Sequence, residues 1–476
     1  MKFLPSILSV LAALTFSSAA ADKPNIILVF IDDMGWEDFS CFGNKDVETE
    51  NIDRLAAEGL RFESFYVNSP ICSPSRVAVS TGQFPARWGI TSYLAHRELN
   101  DERGMAQWLD PEAPMLARFL KEDGYATGHF GKWHMGGQRD VDDAPFITEY
   151  GFDESLTNFE GMGPRVLAWC YTPDESIPPR KHFGDAENLP GATTWIDRSK
   201  VTEAFVTAAI PFIKKAQKDE KPFYINLWPD DVHGPCYPPL DRWGDGSLRA
   251  KYLGVLKTMD EQLGVLFDVI RDDEALRENT IILMCSDNGP AQGAGSAGLF
   301  RGYKTHLYEG GIRSPLVVWG PGFVPDEKAG TVNTESVFSA VDLVASVLEF
   351  VGVELPEGVE LDGEALAETM LGKSTASRQA PLFFRRPPDR NAFYGVDELP
   401  DLSMISGKWK FLAEFDGSDP ELYDLEVDKS ETNNLAAGNP ELVERLTKEL
   451  LAWNRSMPQD KGATYREPKK KKGKGK

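Results

Sequence analysis

Two adjacent carboxylates close an apolar run: Asn25 to Ile31 is almost continuous in isoleucine, leucine, valine and phenylalanine and stops at Asp32 and Asp33. A second run, Thr280 to Cys285, stops at Ser286, Asp287, Asn288 and Gly289. Asp32, Asp33, Asp287 and Asn288 are hard oxygen donors, which suit Ca2+ or Mg2+ and argue against a zinc site built from His and Cys. Neighbouring carboxylates at the end of an apolar strand repel unless a cation stands near them. Turn formation or helix capping accounts for either pair taken alone, but the two together favour a metal.

The second chemical feature is the run Cys72, Ser73, Pro74, Ser75, Arg76. Pro74 suits the first turn of a helix, Val77 to Val79 continue it, and Gly82 closes it. Cys72 then lies at or just before a helix N-terminus, where free N–H groups favour anions and Arg76 adds a fixed charge one turn along. On these five residues, an anion-site thiol and a cysteine in a capping loop are equally good readings. Lys132 and His134 stand two apart, which in an extended segment puts both on one side. His233 follows the acidic stretch Asp230, Asp231, either of which would raise its pKa if close or would simply cap a turn. Lys304 is by itself a lysine in a loop. His96, His129, His182 and His306 read as surface or packing residues, with His96, His182 and His306 as candidates for a pocket wall.

Elements must bring these groups together. Asn25 to Ile31 and Thr280 to Cys285 read as strands buried on both faces, Phe223 to Trp228 as a further strand-like run, and Tyr125 to Phe130 as a weaker one. Between them lie the helical stretches Asn51 to Glu58, Pro114 to Glu122, Asp197 to Gln217 and Leu248 to Arg271. Alternation of strand and helix implies an α/β fold with a large, mostly parallel sheet flanked by helices, and sites in such sheets form beyond the carboxyl ends of the strands. Ser336 to Gly352 reads as a helix closing this domain and Leu355 to Ala376 as a connection. Strand-like alternation around Trp409 and Phe411, with the amphipathic stretch Glu441 to Trp453, predicts a smaller C-terminal antiparallel sheet with a packed helix. The expected divisions are 1–21, 22–355, 356–465 and 466–476.

Composition sets the surroundings. Met1 to Ala21 has the charged start, apolar middle and small-residue end of a signal peptide, so export to the periplasm or the extracellular space is expected, with no stable membrane span in the mature chain. The 476 residues carry a formal charge of −23, and Lys2 with the Lys- and Gly-rich tail 466–476 hides a still more acidic body. Such a body repels nucleic acid and acidic membranes, so an anionic substrate needs a locally basic pocket. The tail reads as low-complexity and disordered. Five cysteines, Cys41, Cys72, Cys170, Cys236 and Cys285, leave one over in any full pairing, and their spacing fixes no bridges.

Taken together, the motifs resemble the type I, formylglycine-dependent sulfatases of the alkaline phosphatase-like superfamily. The matching pieces are Asp32-Asp33-Met34-Gly35, Cys72-Ser73-Pro74-Ser75-Arg76 with Thr81-Gly82, Gly131-Lys132-Trp133-His134, His233-Gly234-Pro235, Asp287-Asn288-Gly289, and Lys304 with Glu309-Gly310-Gly311. Glu421 to Leu425 followed by Asn434-Leu435 resembles the family's C-terminal part, and the likeness runs from about residue 22 to 455. The resemblance implies that Cys72 is oxidised to formylglycine by a formylglycine-generating or equivalent maturation enzyme. One hydroxyl of the hydrated aldehyde, held by Ca2+ (Mg2+ being the lesser alternative), then attacks the sulfur of a sulfate ester. It further implies Asp32, Asp33, Asp287, Asn288 and modified Cys72 as metal ligands, and Arg76, Lys132 and Lys304 as sulfate-binding cations. His233, with Lys304, would protonate the leaving alcohol, and His134 would deprotonate the second hydroxyl to expel sulfate. Gln83 and Val79 depart from the family's commoner residues without touching the Cys-x-Pro-x-Arg core.

The substrate expected from the resemblance is sulfated carbohydrate. Ser92 to Trp108 and Phe159 to Trp195 are long enough to wall a pocket, Trp169, Tyr171 and Trp195 suit either sugar stacking or packing, and Arg385, Arg386 and Arg390 are candidates for further anionic groups. The alternatives are a phosphomonoester or phosphodiester hydrolase of the same superfamily and a catalytically silent protein that binds sulfated glycans.

Overall fold

The computed structural model describes residues 23–138, 140–386 and 399–461. The expected signal peptide, the lysine tail and Arg390 lie outside the described residues. In chain order the strands are β1 (Asn25–Ile31), β2 (Leu60–Tyr66), β3 (Ala126–Gly131), β4 (Glu154–Leu156), β5 (Arg165–Cys170), β6 (Arg180–His182) and β7 (Thr193–Asp197). They continue with β8 (Phe223–Trp228), β9 (Thr280–Ser286), β10 (Arg313–Trp319), β11 (Thr331–Ser339), β12 (Leu382–Arg385), β13 (Leu402–Ser406), β14 (Trp409–Ala413) and β15 (Glu421–Asp424).

Strand β1 reads as a continuous apolar run because it is covered on both faces. Ile26, Leu28 and Phe30 join one core, and Ile27, Val29 and Ile31 join the other, as the two-residue period of a strand requires. The eight-stranded sheet has the order β11-β2-β10-β9-β1-β8-β3-β4. Only β10 runs against its neighbours β2 and β9, so the sheet is mixed and mostly parallel. The helices Glu50–Glu58, Val201–Lys218 and Leu248–Asp272 cover the second core, and Leu116–Glu122 and Ala340–Val351 cover the first. Because β9, β1, β8 and β3 are parallel in succession, their carboxyl ends share one edge, with Ile31 opposite Ser286 and Gly131 opposite Trp228.

The sequence reading did not identify β2 and β10 of the central sheet, and two further stretches differ from it. Residues Ser336 to Ser339 belong to β11 and not to the following helix, because Val337, Phe338 and Ser339 pair with Ser64, Phe65 and Tyr66 of β2. Ladder pairing at the sheet edge and burial of Phe338 outweigh local helix preference. The stretch Phe159 to Trp195, broken by prolines and glycines, contains a separate three-stranded sheet of order β6-β5-β7.

The C-terminal strands form an antiparallel sheet of order β12-β13-β14-β15. Leu446 and Leu450 of the helix Pro440–Ser456 are buried against Leu402, Met404 and Phe411. The Trp453 ring stacks on Phe383 at 5.0 Å and meets Phe84 of the large domain edge-on at 5.7 Å. A buried ionic cluster also crosses the junction: Glu309 accepts from Arg313 Nε at 2.7 Å, Lys410 Nζ of β14 at 2.9 Å and the Tyr66 hydroxyl at 2.8 Å.

Lys410 Nζ also stands 3.6 Å from Glu431 Oε1, so its removal takes one of two cations from Glu309 and a buried counter-ion from Glu431. Lys410→Met is expected to cost about 3–5 kcal/mol, read as a lower urea midpoint at unchanged slope. A second prediction concerns His129, fully buried between Trp133 at 5.1 Å, Trp228 at 5.1 Å and Phe152 at 5.4 Å. Burial lowers its pKa from 6.5 to about 3. The unfolded chain therefore takes up a proton in this window that the folded chain refuses, and stability falls with falling pH by about 1.4 kcal/mol per pH unit. His129→Phe should remove that single-proton slope, measured by urea unfolding at several pH values between 6.5 and 4.

Candidate active site

Two parallel strands that continue past their last paired residues create the centre. Asp287 N donates to Ile31 O at 2.9 Å, and Asp33 N donates to the Asp287 carboxylate at 3.0 Å. Asp32, Asp33, Asp287 and Asn288 are thereby gathered, each at most 2 % exposed. Asp33 itself has φ 57°, the left-handed region that aspartate tolerates better than most side chains. Gly289 admits the closest approach, since a Cβ there would lie 1.9 Å from the Gly310 carbonyl oxygen.

Three cations converge on these carboxylates from three different segments. The helix Cys72–Thr81 begins at Cys72 and ends at Gly82 in the left-handed conformation, and all ten of its residues are buried. One turn in, Arg76 reaches Asp287 Oδ2 at 2.8 Å and stands 3.6 Å from Asp32 Oδ1, its plane packed near Trp228 and Phe30. From the end of β3, Lys132 Nζ bonds Asp32 Oδ2 at 2.7 Å. Gly131 makes that turn possible at φ 136°, where a Cβ would lie 2.2 Å from the Trp228 carbonyl oxygen. Lys304 Nζ bonds Asp33 Oδ2 at 2.7 Å.

Both histidines singled out in the sequence border this cluster. His134 Nδ1 lies 3.0 Å from Glu160 Oε2 and its Nε2 lies 3.0 Å from Leu94 O. His233 Nε2 lies 3.6 Å from Asp33 Oδ2, with its side chain 22 % exposed, so it stands at the mouth of the centre. The acidic residues before it are committed elsewhere: Asp230 pairs with Arg198, and Asp231 accepts from the Thr202 hydroxyl. They do not raise the His233 pKa; burial, followed by the charge of Lys132, lowers it to about 4.

The other ionisable groups respond to confinement. Burial tends to raise Asp32, but Lys132 first, then His233, Arg76 and Lys304, hold it well below the usual carboxylate range. Asp287 is pushed up by burial and by the charge of Asp32. Burial drives the Cys72 thiol up to about 12 despite Lys132 and Lys304. A thiol so placed is protonated at neutral pH and a poor nucleophile.

The donor set fits a divalent cation. Asp32 Oδ1 and Asn288 Oδ1 are buried without a hydrogen-bond partner, a costly arrangement unless something else occupies those lone pairs. Ligand atoms of Asp32, Cys72 and Asp287 lie within 4.8 Å of one another, as do those of Asp32, Asp33 and His233.

Remaining candidates take other places. Arg385 binds Asn454 Oδ1 at 2.5 Å and Pro458 O at 3.0 Å, and Arg386 donates to Thr305 O at 3.2 Å, so both tie segments of the chain together. Trp169 and Trp195 lie 5.1 Å apart on the small sheet with Lys181 over both rings, and Tyr171 is 39 % exposed. His182 packs against Phe159 and Phe183, His306 packs against Tyr303, and His96 is exposed. None of the five cysteines forms a disulfide. Glu160, which touches both Lys132 and His134, had no sequence signal: it stands alone in Asn158-Phe159-Glu160-Gly161, and only the fold brings it there.

Similarity to known proteins runs along most of the chain. A family model described as Sulfatase matches residues 24–353. N-acetylgalactosamine-6-sulfatase of Canis lupus familiaris is 32 % identical over 80 % of this chain and 72 % of its own length. Arylsulfatase A of Homo sapiens is 29 % identical over 92 % and 89 %. N-acetylgalactosamine-6-O-sulfatase of Bacteroides thetaiotaomicron is 29 % identical over 90 % and 93 %. Among solved structures, Ps i-CgsB in complex with k-i-k-neocarrahexaose superposes with a TM-score of 0.75 at 25 % identity, covering 93 % of this chain and 95 % of that one. A Sulfatase model that spans most of the chain, and a relative 32 % identical over 80 % of it, show that the chain belongs to the sulfatase family, with its alkaline phosphatase-like fold, and is a sulfuric ester hydrolase.

Proposed function

We propose that the enzyme removes sulfate from sulfated carbohydrate, with Cys72 used as formylglycine and with Ca2+ held by Asp32, Asp33, Asp287, Asn288 and the modified residue 72. Sulfatases generally work with formylglycine and a divalent metal. The observation that carries the reading is the convergence of Arg76, Lys132 and Lys304 on buried carboxylates beside a thiol too basic to act as it stands. When present, the metal and the hydrated aldehyde supply charge stabilisation and an activated hydroxyl that cysteine lacks.

The chain's own residues supply the remainder. Arg76, Lys132 and Lys304 orient the sulfate oxygens and offset the negative charge that develops on them in transfer. His233, at the exposed mouth, gives a proton to the departing alcohol. It is neutral in the free enzyme at pH 7, and the charge of a bound sulfate ester favours its protonation. His134, deeper and held neutral by burial and Lys132, takes the proton whose removal releases sulfate.

Relatives named for N-acetylgalactosamine 6-sulfate and a structural neighbour holding a neocarrahexaose support a sulfated sugar as substrate. Cys72 is 2 % exposed, so a maturation enzyme has to reach it before the domain closes. The signal-like start supports export, and no helix among the described residues is long and apolar enough to cross a membrane.

Mass analysis of the Cys72 peptide from native material should find aldehyde in place of thiol, and Cys72→Ala should reduce sulfate release to background. A panel of sulfated glycans led by 6-O-sulfated N-acetylgalactosamine, run beside 4-nitrophenyl sulfate and 4-nitrophenyl phosphate, should give sulfate release. Preference for the phosphate would overturn the reading, and so would glycan binding with an intact thiol and no turnover. After chelation, added Ca2+ should raise the thermal midpoint of the wild type, equivalent to about 2.7 kcal/mol at a hundredfold excess over Kd. Asp32→Asn should lose that response.

A further inference from the structure

Glu160 lies between β4 and β5, outside every motif discussed above, yet its backbone is bound to the loop that carries His134. His134 N donates to Glu160 O at 2.8 Å, and Gln138 and Glu160 form an isolated antiparallel bridge. Asn158 Oδ1 accepts from Glu160 N at 3.2 Å and orients the residue from the other side. Its side chain is 8 % exposed, with Oε2 3.3 Å from Lys132 Nζ and 3.0 Å from His134 Nδ1. The histidine contact is close but not aligned as a hydrogen bond, so its effect is that of a nearby charge.

The other side of the ring decides which nitrogen can act. His134 Nε2 faces the Leu94 carbonyl oxygen at 3.0 Å. A carbonyl only accepts, so Nε2 carries the hydrogen and the neutral ring keeps its lone pair on Nδ1. Any proton that His134 takes must arrive at Nδ1, the nitrogen facing Glu160. The resulting imidazolium is buried near the like charges of Lys132 and Arg76, which oppose its formation. A carboxylate 3.0 Å away offsets that opposition.

We propose that Glu160 is a positioning residue for sulfate release, orienting His134 and stabilising the charge the ring acquires at Nδ1. With residue 72 as formylglycine, release of sulfate would regenerate the aldehyde: the hydroxyl would give its proton to His134, its O–H pair would become the C=O bond, and the C–O bond to sulfate would break; His134 would receive that proton at Nδ1, beside Glu160. The role parallels that of a carboxylate which steadies a catalytic imidazole without itself taking the proton. The inference rests on the proton-accepting role proposed for His134. A merely structural Glu160, serving only as a counter-ion to Lys132, would disturb sulfate binding and the two chemical steps together.

The test compares wild type, Glu160→Gln, Glu160→Asp and His134→Asn, each checked for the same aldehyde content at position 72 and the same thermal midpoint. The substrate is whichever member of the glycan panel gives wild type its highest kcat/KM. For Glu160→Gln, kcat should fall at least about tenfold, while kcat/KM, which reports the steps through alcohol departure, changes less than about threefold. Rapid mixing should then reveal a burst of desulfated product equal to the enzyme concentration, and Glu160→Asp, which keeps the charge, should recover part of kcat. Parallel loss of kcat and kcat/KM in Glu160→Gln, or no loss in either, overturns the inference. Should Glu160→Gln fail to fold, the decision passes to Glu160→Asp, where a lowered kcat with a burst supports the inference and parallel loss overturns it. Undiminished sulfate release by His134→Asn would instead refute the underlying role of His134, so the two failures are distinguishable.

Discussion

Three carboxylates, Asp32, Asp33 and Asp287, are confined without solvent at the ends of two hydrogen-bonded parallel strands, and the remainder of the site answers that confinement. Burial of like charges is among the costliest arrangements a fold can hold unless each is paired. Arg76, Lys132 and Lys304 meet this demand from a helix, a strand end and a loop. Their pairing leaves Asp32 Oδ1 and Asn288 Oδ1 without a hydrogen-bond donor, and those lone pairs suit a divalent cation. In the reaction proposed, a sulfate ester would meet cations already held in place, so that little reorganisation would accompany transfer.

The scaffold makes this confinement possible through topology. Parallel strands β9, β1, β8 and β3 end on one edge, so residues separated by up to 255 positions come within hydrogen-bond distance. Both faces of the sheet are covered, which keeps the strand ends dry and strengthens every charge interaction there. The smaller sheet contributes from behind: Lys410 of β14 and Glu309 of the Lys304–Ile312 segment share a buried ion pair, tying that segment to the C-terminal unit. The centre differs from the locally basic pocket that the overall acidity led one to expect: it is charge-matched, because each buried cation faces a named carboxylate.

Much of this was legible in the chain itself. Buried strands announce themselves as apolar runs, and the change at Asp32 and Asp287 from apolar to hard oxygen donors marks the strand ends. The helix start at Cys72 follows from Pro74, and its end follows from Gly82. The small sheet around Trp169 and Trp195 was not legible, since prolines and glycines interrupt its pattern and each strand is only a few residues long. Residues Ser336 to Ser339 were misplaced because their preference is set by the β2 edge they pair with, a partner distant in sequence.

Residue types and order alone determined the α/β class and the hard-oxygen character of the donors at the ends of β1 and β9, because these depend on local periodicity and on side-chain functional groups. Tertiary structure alone decided which carboxylate each cation serves, that Asp230 and Asp231 support Arg198 and Thr202 rather than His233, and that Glu160 stands beside His134. Pairings across a sheet and between loops are set by three-dimensional packing of segments far apart in the chain, for which no local spacing rule exists. The thiol at position 72 shares that division: its chemical type is written in the sequence, whereas its burial and its high pKa come from the helices and strands folded around it.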